Sequence, residues 1–448
     1  MTASAMTPAP SYHKTILVLS VAVWLTVMNT TMFNVALPDV LQEFSLAPSQ
    51  GAWVVSGYSI VLAIFTIAYT RLSDYIPIRT LVITGISLFG FASIIGFFST
   101  SFEWLLAARL GQSAGAAAIP GLSMVFAGRF VPIHRRGRAM AMIASASSLG
   151  FGLGPVVGGI ITDYLSWNYL FIVTVFVIAV IPVLLHLLPD QETNRGSFDV
   201  LGGILTGCAV TSFLLFVSTL NILYIVSFVL LTLLLLWRIK KIAYPFIQPE
   251  LLSNRQYRLI VYLSYIGFTL HFALLILMPL MIQQVFGRSA TAVGFLIFPG
   301  AMLSAVAAIY VGRLIDEFGN VRVMFLSQFL LLTSAVFFTF FSGLSEYMVM
   351  ISYMFTSFGF SSLSSSTTNE ISRILPKDQV ATGIGMKQLV QFVGSATGAV
   401  LGTSILESSG RTYSVASFQI AYSALIVLMI ISLLLLFSYK KRSIVLDQ

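Results

Sequence analysis

Residues 70–79 read TRLSDYIPIR and residues 312–322 read GRLIDEFGNVR. Both hold Arg-Leu-x-Asp, as Arg71, Leu72 and Asp74 in the first and Arg313, Leu314 and Asp316 in the second. Each follows the second apolar run of its half of the chain. The same charged loop returning after the same number of runs marks a parallel internal repeat. In a polytopic chain such a repeat points to a secondary transporter with its site between the repeats.

On either side of these loops the chain is a succession of apolar runs, near 15–36, 51–70, 80–99, 105–127, 140–162, 169–188, 200–219, 221–237, 259–285, 290–312, 323–341, 347–369, 380–405 and 416–438. About twenty helical residues at ~1.5 Å rise cross a ~30 Å hydrocarbon core, so each run predicts a membrane span. Only Thr219, Leu220 and Asn221 interrupt 200–237, which makes twelve or thirteen spans the competing counts. Charge decides between them. With fourteen spans and a cytoplasmic Met1, twenty of the 24 Lys and Arg fall inside, Arg288 and Arg411 fall outside, and Arg109 and Lys387 lie within runs. Dropping one span inverts the later loops and destroys that asymmetry. The expected fold is an all-α polytopic membrane protein of 14 transmembrane helices with both termini cytoplasmic. It divides into a six-helix half (1–190), a linker with two extra helices (191–245) and a second six-helix half (246–448).

Composition excludes the other broad classes. The 448 residues are 57% hydrophobic and 9% charged, with mean hydropathy +0.94, against roughly 25% charged in soluble domains. A net charge of +8 would suit nucleic acid, but the charges sit in short loops between apolar runs, where they set orientation in the bilayer. The single Cys208 excludes a disulfide framework and a cysteine-based metal site. The polar start followed by a long apolar run predicts no cleavable signal.

In the fifth run Gly150, Gly154, Pro155, Gly158 and Gly159 spell G-x-x-x-G-P-x-x-G-G. Small residues let membrane helices approach closely, so a lone G-x-x-x-G says little. The full string in this run resembles the antiporter signature of the major facilitator superfamily, specifically its fourteen-span drug:proton antiporters, which include tetracycline and multidrug exporters. The resemblance covers nearly the whole chain. The first repeated loop keeps Leu72, Asp74 and Arg79 of the family's G-x-L-x-D-x-x-G-R-R, with Thr70 and Pro77 at its glycines. The second loop has Gly312, Leu314, Asp316, Gly319 and Arg322. The fourth run reads RLGQSAG, so Arg109, Gln112 and Gly115 match R-x-x-Q-G-x-G with Ser113 in place of one glycine. The first run ends NVALPDV, similar to the family's L-D-x-T-x-x-N-V-A-L-P, with Met28 and Asn29 at its first two positions.

Asn29 departs from the family pattern, which usually has a carboxylate there that is often assigned to proton coupling. All sixteen acids of this chain fall in loops or at run ends. The tetracycline exporters also carry an acid within the fifth-span motif and another in the penultimate span. Gly150–Gly152 and Phe392–Gly398 have none, which weighs against a tetracycline–metal substrate.

Three residues are the candidates for proton coupling: Asp39, Arg109 and His271. Asp39 follows Pro38 at the outer end of the first run. It is either a solvated loop acid or, if the helix continues past the proline, a proton exchanger at the outer mouth of a central cavity. Glu43 and Asp163 read more simply as loop acids. Arg109 lies inside a run and must either pair or snorkel. The resemblance implies that it senses or relays the protonation of a nearby acid, with Asp39 as partner, because the first and fourth spans are adjacent in the superfamily. His271 is the one histidine deep in a run, either a proton carrier or a neutral structural residue.

Asn29, Gln388 and Gln391 are candidates to line the substrate cavity, and Lys387 reads as an inward snorkeller. The glycines with Pro155 pack or kink the fifth helix in any reading. Asp74 with Arg79, and Asp316 with Arg322, are expected to form a cytoplasmic gate whose charge pairs break as the halves rock; plain solvated loops are the alternative.

The expected function is proton-coupled multidrug efflux by alternating access, with small hydrophobic or cationic drugs, protons and the lipid bilayer as partners, in a bacterial cell membrane and as a monomer. Aromatics at 13% and sixteen methionines suit a cavity for bulky amphipathic compounds. The alternative is an exporter of an endogenous lipid or metabolite, or a carrier not coupled to protons. No enzyme, cofactor, metal or nucleic-acid role is expected. Prenyl- or phosphotransferases need paired carboxylates for a metal–diphosphate, and Asp316 and Glu317 belong to the repeated loop instead.

Overall fold

The computed structural model describes residues 12–446 except 74, 190–198, 243–244, 248, 377–378 and 409–412. Asp74 therefore lies outside the described residues, as does the side chain of Asp316. In hydrocarbon each backbone N–H and C=O must be satisfied within its own segment, which makes helices of apolar runs. In chain order they are α1 (Tyr12–Glu43), α2 (Pro48–Gly51), α3 (Trp53–Leu72), α4 (Ile78–Phe97), α5 (Phe102–Ala116), α6 (Ala118–Phe130), α7 (Ile133–Tyr164), α8 (Tyr169–Val175) and α9 (Ile181–Leu187). After them come α10 (Val200–Thr219), α11 (Ile222–Lys241), α12 (Pro249–Ser253), α13 (Arg255–Gln284), α14 (Ala290–Phe318), α15 (Asn320–Phe341), α16 (Glu346–Ile374), α17 (Val380–Ser408) and α18 (Val415–Leu446).

Eleven segments among the described residues are long and apolar enough to cross a membrane. Three further expected runs coincide with α7, α14 and α16, which are 32, 29 and 29 residues long. The ambiguous stretch 200–237 does break: Leu220 adopts a left-handed φ of 52°, and the Asn221 side chain caps α11 by accepting from the Leu223 N–H. Pro182 lacks an N–H, and a 3₁₀ stretch at Phe176–Val180 precedes it between α8 and α9. The first helix does not stop at Pro38 but runs on to Glu43.

Packing repeats along the chain. α1 lies on α7, α3 on α5 and α4 on α8; later, α13 lies on α17, α14 on α16 and α15 on α18. Two seams join the early helices to the late ones, α7 against α14 and α3 against α17. The glycines set these distances. A Cβ on Gly150 would lie 2.8 Å from the Trp24 carbonyl, and one on Gly158 2.7 Å from that of Met32. Both neighbours are α1 backbone, which cannot yield as a side chain would. Gly159 meets the Ala290 carbonyl of α14 just as closely. In α17, Gly394 and Gly398 lie in the same way against the Tyr265 and Thr269 carbonyls of α13.

The core is continuous at one end of the bundle and divided at the other. Phe33, Leu37 and Val40 share one cluster with Leu270, Leu277, Ile282 and Val293. At the end where α1 begins and α18 finishes, Leu19, Ile78 and Leu184 belong to one cluster and Ile260, Leu375 and Tyr439 to another. Among the described residues the two terminal-end clusters are distinct, with Phe392 of α17 packed on the early one and Ala63 sharing a small cluster with Leu389.

The helical pair α10–α11 sits beside the α3–α17 seam, with Leu214 against Ile60 and Ala396. Asp199 anchors it, accepting from the Gly202 N–H at 2.9 Å, Arg238 Nε at 2.7 Å and the Phe246 N–H at 3.1 Å. Phe246 in turn packs with Ala63 and Leu389. Partial burial opposes ionisation of Asp199, but the N–H bonds from Gly202, Arg238 and Phe246 outweigh it and hold the carboxyl below its ordinary range.

Two outcomes test this packing. Gly158→Leu is expected to lower the melting temperature of the purified protein, at an overpacking cost of about 1–3 kcal/mol. Gly385→Ala, where a Cβ meets nothing within 4 Å, should leave it level or slightly raised. Asp199→Asn should also lower it, and the gap to wild type should hold between about pH 6 and 8. Because the folded carboxyl titrates low, the gap should close as pH falls below about 4.

Candidate functional site

Arg109 is fully buried, roughly 10 Å from the start of α5. A guanidinium is planar and weakly hydrated, so it tolerates burial between aromatic faces. Its Cζ lies 4.0 Å from the Phe33 ring centroid and 4.1 Å from that of Tyr58. Nη1 donates to Asn29 Oδ1 at 2.7 Å and to Gln112 Oε1 at 2.9 Å. Gln112 Nε2 continues to Ser93 Oγ at 2.7 Å and Thr174 Oγ1 at 3.2 Å. Five helices (α1, α3, α4, α5 and α8) therefore meet on one cation. Its Nε and Nη2 have no hydrogen-bond partner.

The partner expected for Arg109 was Asp39, and the structure gives it Asn29 instead. Ten residues separate Asn29 from Asp39 on the same helix, roughly 15 Å of rise, which puts the carboxylate out of reach. Asp39 lies half-buried near the distal end of α1, and its Oδ2 has no hydrogen-bond partner. Beside it, Gln283 Nε2 of α13 donates to the Val35 carbonyl at 3.3 Å.

Other acids close the distal end. Asp163, read from sequence as a loop acid, accepts from the N–H groups of Ala290 at 3.0 Å and Thr291 at 2.7 Å. It thereby caps α14 from α7, where the helix dipole favours negative charge. Glu407 of α17 accepts from the Ser49 N–H at 2.6 Å, and Glu43 accepts from Trp167 Nε1.

In the second half of the chain, His271 is buried with its ring 3.9 Å from that of Phe360 and tilted only 9°. Tyr353 flanks it at 6.0 Å, and Nδ1 has no partner. Lys387 does not snorkel. It is 2% exposed, and Nζ donates to the Ser364 carbonyl at 3.2 Å and to Thr368 Oγ1 at 2.5 Å, both on α16. Gln391, one turn further on α17, is buried with Nε2 unpartnered, and Gln388 is half-buried. A narrow crevice between α13, α16 and α17 is lined by Ser264, Phe268, Phe360, Leu363, Ser364 and Gln391.

At the terminal end the expected gate is only partly described. Arg322 is exposed and Arg79 half-buried, while Asp74 and the Asp316 side chain are outside the description. A cluster that the sequence reading overlooked lies close by. Glu370 accepts from Asn320 Nδ2 at 2.7 Å, Arg373 Nη2 at 2.7 Å and Tyr439 Oη at 2.5 Å, tying α15, α16 and α18 together. Glu370 and Arg373 sit three apart on one helix face, which was the available signal; the Tyr439 contact had none. Among the described residues no group of three or more His, Cys, Asp or Glu could hold a metal.

This all-helical architecture, with membrane-length segments and a recurring packing pattern, is that of a membrane transporter. The chain matches the Major Facilitator Superfamily over residues 19–364 and 259–445 and belongs to it. It is similar to the riboflavin transporter RibZ of Clostridioides difficile, 22% identical over 88% of this chain and 88% of that one. It is also similar to the lincomycin resistance protein LmrB of Listeria monocytogenes, 24% identical over 86% of this chain and 84% of that one. Its fold is shared with the inward-facing, unoccupied structure of a bacterial homolog of the human lysosomal transporter Spinster, with TM-score 0.70, 13% identity, and coverage of 97% of this chain and 98% of that one.

The Arg109 network makes a testable stability statement. Arg109→Met keeps the stem but leaves Asn29 Oδ1 and Gln112 Oε1 without the donor they have now. Each bare buried acceptor costs about 1–3 kcal/mol, so the melting temperature should fall by several degrees. Asn29→Asp, which supplies a counter-charge at the same place, should not cause that fall.

Proposed function

We propose that the protein exports amphipathic small molecules by alternating access, as a fourteen-span proton-coupled carrier with both termini cytoplasmic and the halves 1–190 and 246–448 flanking the 191–245 linker. The observation that carries this reading is the glycine-packed seam of α7 on α14, with Gly159 on the Ala290 carbonyl and Gly294 on that of Pro155, beside a core shared by both halves at the distal end. Halves that rock must part at one end while staying packed at the other, and backbone-to-backbone contact lets them do so without a gap. With cytoplasmic termini, the contacts of Asp163 with the start of α14 and of Glu407 with Ser49 close the outer side. The likeness to LmrB supports drug export, and the likeness to RibZ supports the alternative of a metabolite.

Asp39 is the proton exchanger in this reading, because it is the half-buried acid with a bare oxygen beside the distal seam. Arg109, held by Asn29 rather than by an acid, positions α1 against α5. His271, flat on Phe360, belongs to the cavity wall. Asp74, Arg79, Asp316 and Arg322 form the cytoplasmic gate, and the functional unit is a monomer in a bacterial cell membrane.

The test is ethidium uptake into inside-out vesicles as the lumen is acidified. Uptake that collapses with a protonophore, and is lost in Asp39→Asn at normal expression, is the expected result. No gradient-driven uptake of ethidium or of a panel of neutral drugs would sink the export reading. Full gradient-driven uptake by Asp39→Asn would remove Asp39 as the exchanger.

A further inference from the structure

The internal repeat extends past the charged loops to the distal ends of the seams. Gly150, Gly154 and Gly158 of α7, which face α1, recur 244 residues on as Gly394, Gly398 and Gly402 of α17, which face α13. Asp163, five residues beyond the last of the α7 three, recurs at the same interval as Glu407. Their partners keep the interval of the charged loops. Arg71, Leu72 and Asp74 recur 242 residues on as Arg313, Leu314 and Asp316, and Ser49 recurs in the same way as Thr291. Thr291 is where Asp163 docks, and Ser49 is where Glu407 docks.

We propose that Asp163 and Glu407 are the two symmetry-related latches of one outer gate, holding the carrier closed to the outside and releasing together when it opens. Each is a carboxylate carried by one half onto the first backbone N–H groups of a membrane segment in the other. This rests on the alternating-access reading above and names the side chains that set its resting state.

Asp163 spans the α7–α14 seam, with Oδ1 accepting from the Ala290 N–H at 3.0 Å and Oδ2 from the Thr291 N–H at 2.7 Å. Glu407 spans the α3–α17 seam in the opposite sense. Its Oε1 accepts from the Ser49 N–H at 2.6 Å, in the first turn of the membrane-length segment Pro48–Thr70. First-turn N–H groups have no intrahelical acceptor. Each dock therefore satisfies donors that the helix cannot, and adds the attraction of a carboxylate for the positive end of a helix. The docks sit against close backbone packing: Ala290, whose N–H goes to Asp163, turns its carbonyl onto Gly159. Donor and acceptor belong to different halves, so parting the distal ends of the seams must break both docks. Two other acids at this end behave differently. Glu43 accepts from Trp167 Nε1 and Glu346 from Arg288 Nε, each within its own half, so motion between the halves leaves these bonds intact.

Pulsed dipolar distances between spin labels on Phe98→Cys and Leu344→Cys, in a Cys208→Ser background, test this on the full-length protein in lipid nanodiscs without substrate or gradient. Phe98 and Leu344 are exposed residues of distal turns, one in each half. The parent protein should show mainly the short, closed distance. Asp163→Asn and Glu407→Gln should each raise the open-to-closed ratio about fivefold, and the double variant by about the product of the two. Glu346→Gln should leave the ratio as it is. If either acid variant fails to fold, two milder ones should move the ratio the same way. Ala290→Pro removes one donor and leaves the acid, at a first helical position where proline is accommodated after the extended Ser289. Glu407→Asp keeps the charge but falls one methylene short of Ser49. An unchanged ratio in folded variants at either dock, or an equal shift in Glu346→Gln, overturns the proposal. The ratio is read without transport, so the two readings fail separately. Protein whose ratio shifts as expected but drives no uptake refutes export alone, whereas protein that drives ethidium uptake with a ratio indifferent to both docks refutes the gate alone.

Discussion

Helices dissolved in hydrocarbon gain nothing by hiding apolar surface from one another, so their association rests on close packing and on polar contacts. In this protein the contact on which the rest depends is the approach of α7 to α1 and α14. Three glycines one turn apart place α7 against the α1 backbone, and Gly159 turns the adjacent face toward α14. A single helix is thereby the common neighbour of an early and a late element. The α13–α17 pair repeats the device with Gly394 and Gly398. Among the described residues the distal core is shared by early and late helices.

The second constraint is electrostatic. Removing a charge from water is expensive unless something replaces the solvent, and the two deep cations solve this differently. Arg109 is enclosed by rings and amides, an arrangement that ties five helices to one point. Lys387 rests on a carbonyl and a hydroxyl beside a crevice with bare polar atoms. Both leave donors unused, as Arg109 Nε and Nη2 and the Gln391 Nε2 beside Lys387 have no hydrogen-bond partner.

Much of the architecture was legible in the chain because a bilayer imposes a simple rule on length and polarity. The apolar runs reappear as helices, and even the three-residue break at Thr219–Asn221 marks a real turn, because Leu220 and Asn221 supply the cap. The glycine string was legible as a packing motif for the same reason: only glycine admits a carbonyl so near. Side-chain partnerships were not. Asp39 was matched to Arg109 through neighbouring spans, yet depth along the helix separates them, and Asn29 sits level with the guanidinium instead. Asp163 read as a loop acid because nothing in the sequence says that the start of α14 lies above it.

What the sequence by itself determined is the alternation of apolar and charged segments, the internal repeat, the close-packing helix and the absence of an acid at position 29, all properties of local composition and spacing. The tertiary structure alone decided which groups meet. It put Asn29 and not Asp39 on Arg109, Asp163 on the N-terminus of α14, Tyr439 on Glu370, and Lys387 beside a crevice of unpartnered donors. The physical reason is that burial and hydrogen bonding depend on depth and rotation across helices far apart in the chain. Periodicity along one helix carries no record of either.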